Sequence, residues 1–80
     1  MKERIAVVSG IRTPMAKAGT VLKNTSADDL GTAVVRDVVN RSAVDPSEID
    51  EVIIGNVAQP AHAANISRVI ALKAGLPVNV

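Results

Sequence analysis

Cysteine, phenylalanine, tyrosine and tryptophan are all absent from these 80 residues. Without cysteine the chain has no disulfide framework, no zinc ribbon and no thiol nucleophile. Without aromatic rings its core must be built from Val, Ile, Ala and Leu, which suits a tightly packed α/β interior better than an aromatic-anchored binding surface. Excess charge is missing too. The formal net charge is +1, which excludes bulk attraction to nucleic acid or to an anionic membrane. No apolar run approaches the ~18–20 residues of a membrane-spanning helix. The N-terminus carries no long apolar core of a signal peptide, so a cytoplasmic protein is expected.

What is present is an ordinary core composition, 48% hydrophobic, in a chain long enough for at most one small domain. A domain of this size buries only about 60% of its unfolded surface and is marginal alone. Charge is unevenly spread. Lys2, Arg4, Arg12, Lys17 and Lys23 face only Glu3 in the first 23 residues. Such a run meets either a phosphate or, as the plainer account, solvent and acids elsewhere in a larger body.

Arg4-Ile5-Ala6-Val7-Val8-Ser9 is a short β-branched apolar run closed by Gly10, the pattern of a strand buried on both faces. A long polar connection to Ser26 follows. Ser26 then opens a helix as its cap, with Asp28 and Asp29 where the dipole favours negative charge. Ala27, Leu30, Val34, Val35 and Val38 recur at helical spacing to about Arg41, with Arg36, Asp37 and Asn40 largely on the other side. Asp45-Pro46-Ser47-Glu48 is a second start signal, with room for only one turn before a second strand, Glu51–Val57. After a linker with Gln59 and Pro60, Asn65 caps a helix carrying Ile66, Val69, Ile70 and Ala74. Lys73, Gly75 and Pro77 end it. Pro77–Val80 reads as the entry to a third strand. The expected fold class is α/β: β-α-β-α-β, a parallel sheet with right-handed crossovers.

That sheet has a deficit. Its strands are apolar on both faces, yet right-handed crossovers in the order 1, 2, 3 put both helices on one face. Parallel sheets are almost never left bare on the other. The chain reads as part of something larger.

The common catalytic motifs are missing. Ser9-Gly10-Ile11-Arg12-Thr13-Pro14 stands where a dinucleotide fold would carry G-x-G-x-x-G, and neither a P-loop nor a G-x-S-x-G elbow occurs. His62 is the sole histidine, sits in the linker, and has no nucleophile spaced against it. One histidine with scattered carboxylates is too few ligands for a metal. Asp28 and Asp29 diverge by about 100° on a helix, so they are expected to serve the first turn and not to share a site. Asn65 and Arg68 lie on one helical face. They read as a functional pair or, more plainly, as a cap with a structural ion pair.

Taken together, these segments resemble the thiolase family. Residues 5–17, Ile5 through Arg12-Thr13-Pro14 to Lys17, resemble its opening strand and R-T-P loop. Ser26-Ala27-Asp28-Asp29-Leu30-Gly31 is similar to its first helix start, and Val44–Val57 to its second strand with the lead-in. Gln59-Pro60-Ala61-His62-Ala63-Ala64-Asn65-Ile66-Ser67-Arg68 and Ala71–Pro77 are similar to the loop and helix that follow. The Q-P-A-x-A-A-N-I-x-R form leans toward the degradative 3-ketoacyl-CoA type of fatty acid metabolism.

The resemblance implies that residues 1–80 are a partial thiolase N-terminal domain, the β-α-β-α-β start of one half of a five-layered body. The long connection after the first strand then lies against that body, with bends at Gly10 and Gly19, φ fixed at Pro14, and Arg12 tying loop carbonyls or a carboxylate as architecture. The implied reaction is acyl transfer, thiolysis of a 3-ketoacyl-CoA by CoA or the reverse Claisen condensation, through cysteine and histidine side chains. The nucleophilic cysteine is expected shortly beyond Val80, so this segment supplies no catalytic residue and no metal site, and its cofactor-binding residues are unassigned. Coenzyme A thioesters are the implied substrates, with no other cofactor. The implied partners are the remainder of a thiolase chain or a second subunit, assembled as a homodimer or homotetramer, with no nucleic acid and no membrane span. A non-catalytic thiolase-like subunit or scaffold assisting another chain is the alternative.

Overall fold

A computed structural model describes residues 3–56 and 60–80. Two helices organise it: α1, Ala27–Ser42, and α2, Ile66–Lys73. α1 begins where Ser26, extended, accepts a hydrogen bond on its side chain from the Asp29 N–H at 3.3 Å. It ends at Ala43, whose φ of 58° turns the chain out of the helix. Asp45 caps the single 3-10 turn Pro46–Glu48, accepting from the Ser47 N–H at 2.9 Å. α2 starts at Asn65, whose side chain accepts from the Arg68 N–H at 3.4 Å. It stops at Gly75, with φ 86°. There the Gly75 N–H donates to the Leu72 carbonyl and the Leu76 N–H to Ala71, at 3.1 Å each, the paired closure that a left-handed residue allows at a helix C-terminus. Leu76 and Ala71 are buried at that closure. Both helices thus lie where their local start and stop signals put them.

The core sits between the helices. Ala63, Ile66 and Ile70 are buried together, with Val35, Ile54 and Val69 packed against them. α1 meets α2 at Gly31, against the side chain of Ile70. A Cβ there would overlap the Ile70 Cδ1 and stand 3.1 Å from its Cγ1, so glycine is what lets Ile70 enter. Long-range hydrogen bonds tie the pair and the segment before α2. Arg36 of α1 donates to the Lys73 carbonyl at 2.7 Å, capping the end of α2. Lys73 and His62 both reach back to Asp28 at the start of α1.

The strands are the main departure. Among the described residues no strand is formed, so the expected parallel pairing of 4–9 with 51–57 is not realised (Val57 lies outside the described residues, as do Lys2 and Gln59). Ile5 and Val7 are each 95% exposed. The cause is non-local: a ladder gains stability only when a neighbouring strand and covering layers are present on both faces. The first segment still keeps the path of a βα unit. Val8 and Ser9 share a cleft with Val38, Val39 and Val44, and Ile11 to Pro14 share one with Ala33, Val34 and Asp37. The first segment therefore runs antiparallel to α1. In the second, Val52 and Ile54 are half-buried while Ile53 points out, the period of two that a half-covered strand requires.

Two smaller differences follow. Pro77–Val80 is a turn closed by the Val80 N–H on the Pro77 carbonyl at 3.1 Å, not the entry to a third strand. The long connection is a series of turns at 17–25, with Gly19 at φ 78°. Gly10 has no positive φ, so only Gly19 serves as a left-handed bend there. Among the described residues no helix is long and apolar enough to cross a membrane.

Candidate functional site

Two polar constellations are built onto the helix pair. The first gathers at the N-terminus of α1. Asp28 is only 4% exposed. Its Oδ1 lies 2.9 Å from His62 Nε2 and its Oδ2 accepts from Lys73 Nζ at 2.8 Å. Lys73 also donates to Asp29 Oδ1 at 3.1 Å. Hydrogen bonding from Lys73, then from His62 and Ser26, holds the Asp28 carboxyl far below the usual carboxylate range. Lys73 and Ser26 lower Asp29 as well, and the two carboxylates raise Lys73 above its ordinary value. An ionised carboxylate only accepts, so His62 donates through Nε2.

This corrects the expectation that Asp28 and Asp29 do not share a site. Their Cβ atoms do diverge, but one long lysine from the other helix spans both carboxylates. His62, unassigned from sequence, is held by Asp28 at a separation of 34 residues. The segment carrying it, 60–64, is thereby fastened to the start of α1. The chain contains no cysteine for such an imidazole to activate. Among the described residues no group of three or more His, Cys, Asp and Glu is placed to hold a metal.

The second constellation is at the start of α2. Asn65 accepts from the Ser67 hydroxyl at 3.0 Å as well as from the Arg68 N–H, so it is a cap, as the plainer reading has it. The Arg68 guanidinium forms no ion pair among the described residues. It donates instead to two backbone carbonyls, Val78 at 2.7 Å and Val80 at 2.9 Å. Neither bond was visible in the sequence, because carbonyl acceptors leave no residue signature. Arg68 and the Asn65 cap border an open cleft whose other wall carries Asp50, Glu51 and Val52. Arg12, read as architecture, donates to the adjacent Thr13 carbonyl at 3.1 Å and is exposed.

Comparison with known proteins adds what this geometry cannot. Residues 5–80 match the family described as Thiolase, N-terminal domain. The chain is 47% identical over 77 residues to a 3-ketoacyl-CoA thiolase of Shewanella pealeana, covering 96% of this chain and 18% of that one. It is 45% identical over 78 residues to a 3-ketoacyl-CoA thiolase of Pseudoalteromonas translucida, covering 98% and 18%. It is 46% identical over 76 residues to a protein of the same name from Aliivibrio fischeri, covering 95% and 17%. The chain thus spans less than a fifth of the length of the curated relatives it matches. With α1, α2 and both extended segments inside the matched residues, this chain belongs to the thiolase family, as part of its N-terminal domain.

Proposed function

We propose that residues 1–80 are the N-terminal segment of a 3-ketoacyl-CoA thiolase. The full-length protein then transfers acyl groups between 3-ketoacyl-CoA and CoA, or runs the reverse Claisen condensation, with CoA thioesters as its substrates. The observation that carries this reading is the match of residues 5–80 to the family's N-terminal domain, supported by relatives named 3-ketoacyl-CoA thiolase. In that body the segments 4–9 and 51–57 pair in parallel, completing the β-α-β-α-β start. The cytoplasm and a homodimeric or homotetrameric state belong to the same reading.

The segment itself is catalytically incompetent. Acyl transfer of this type needs a thiolate to form the acyl-enzyme, and the chain has no cysteine. The role of these residues is to supply a frame: a helix pair, a fastened linker, and the chain leaving α2 in a set direction. The test measures thiolysis of acetoacetyl-CoA and a longer 3-ketoacyl-CoA by CoA. The full-length protein is expected to turn over and the purified 80-residue chain is not. Turnover by the short chain, or none by the full-length protein, overturns the proposal.

A further inference from the structure

Arg68 is placed unlike a surface arginine. Two acidic residues, Asp50 and Glu51, line the same cleft, yet its fork is committed to the carbonyls of Val78 and Val80. Its own backbone is fixed by the Asn65 cap and by α2, whose opposite face buries Ile66 and Ile70. Beyond the helix, Gly75 turns the chain, the ring of Pro77 sets one φ, and the Pro77–Val80 turn closes on itself. That turn has one internal backbone bond, and Val78 is 78% exposed. The guanidinium adds two side-chain hydrogen bonds to that turn, beside the burial of Leu76 that precedes it. A planar fork that bonds two carbonyls at once fixes both distance and orientation, which a single ammonium does not.

We propose that Arg68 is a positioning residue: its guanidinium, held by the capped start of α2, sets the course of the backbone through Val78 and Val80 and so places the residues that follow. Under the thiolase reading above, on which this step rests, those residues lead to the nucleophilic cysteine, and Arg68 acts on catalysis through the backbone without touching substrate.

The test uses the full-length protein with Arg68→Met, which keeps the apolar stem, and Arg68→Lys, which keeps the charge but only one donor point. Hydrogen exchange at the amides of residues 78–80 and just beyond is expected to quicken in Arg68→Met and to recover partly in Arg68→Lys, while exchange within α1 stays unchanged. Displacement of a reacting group by about 1 Å costs on the order of 100-fold, so kcat for thiolysis is expected to fall about 10- to 100-fold, with KM for CoA within about twofold. The pH midpoint of inactivation by iodoacetamide is expected to move with it. Unchanged exchange at 78–80 overturns the proposal. So does faster exchange with unaltered kcat and alkylation profile, which leaves Arg68 a merely structural brace. An inactive wild type would instead overturn the thiolase reading, and the exchange measurement would still decide whether Arg68 sets the chain's course.

Discussion

Removing the Asp28 carboxylate from water costs hydration that only its partners return. Those partners are Lys73 and His62 on one side chain that is almost wholly covered, whereas Asp29 shares Lys73 from an exposed position. Asp28→Asn in the full-length protein is therefore expected to lower Tm at neutral pH more than Asp29→Asn does. The pH dependence follows from the lowered carboxyl. A group held below its unfolded value of 3.8 contributes stability that is complete above that value and is lost as pH falls through the folded one. The gap in Tm between wild type and Asp28→Asn should thus narrow as pH is taken from about 7 to below about 4. Lys73, raised above its ordinary value by the same two carboxylates, adds stability lost only at strongly alkaline pH. Equal losses from the two variants, or a gap indifferent to acid, would contradict this account. Little of the cluster was legible in the sequence. Ser26 and the acidic first turn are local signals, but the meetings of Asp28 with His62 and Lys73 span 34 and 45 residues and depend on how the helices pack.

Helices were legible for the same reason that strands were not. Ser26, Asp45, Asn65 and Gly75 each act on backbone groups within a few residues, so their signals survive in a short chain. The strand segments 4–9 and 51–57 depend on a partner strand and a second layer, and the periodicity of their side chains supplies neither. What periodicity also hid is the contact that sets helix spacing. Gly31 reads as a weak point in a helix, since glycine there costs roughly 0.5–1 kcal/mol against alanine. Yet an added Cβ would meet Ile70, which is 1% exposed and has little room to move. Overpacking costs about 1–3 kcal/mol, so Gly31→Ala is expected to destabilise the full-length protein by about 1 kcal/mol net of the propensity gain. The atom at fault is the Ile70 Cδ1, which Ile70→Val deletes. In the Ile70→Val background, Gly31→Ala should become neutral or stabilising, a non-additivity that a double-mutant cycle reads directly. Additive losses by chemical denaturation would show that the helices separate instead of clashing.

At the scale of the whole molecule the apolar surface decides behaviour. Five hydrophobic residues form the buried core among the described residues, while Ile5, Val7, Val8, Met15, Val21 and Ile53 stand 67–95% exposed. The radius of gyration is 14.2 Å and the long axis 50 Å, against about 12 Å expected for a compact domain of this length. Each Val or Ile buried is worth roughly 1.5–3 kcal/mol, so these side chains together rival the entire stability of a small domain, about 5–15 kcal/mol. Among the described residues, intramolecular contacts do not bury them. Unpaired extended segments with apolar faces are also templates for edge-to-edge pairing. The isolated 80-residue chain is accordingly expected to be oligomeric, aggregated or partly unfolded, and to become ordered against the remainder of a thiolase body. Sedimentation velocity with far-ultraviolet circular dichroism and a thermal melt decides the matter. The expected result is a mass above the monomer or a broad, shallow transition, with helical signal that survives in α1 and α2. A monomer that melts sharply and cooperatively would require residues 4–9 and 51–57 to be covered from within the chain, and exposure would then give no physical ground for a larger body.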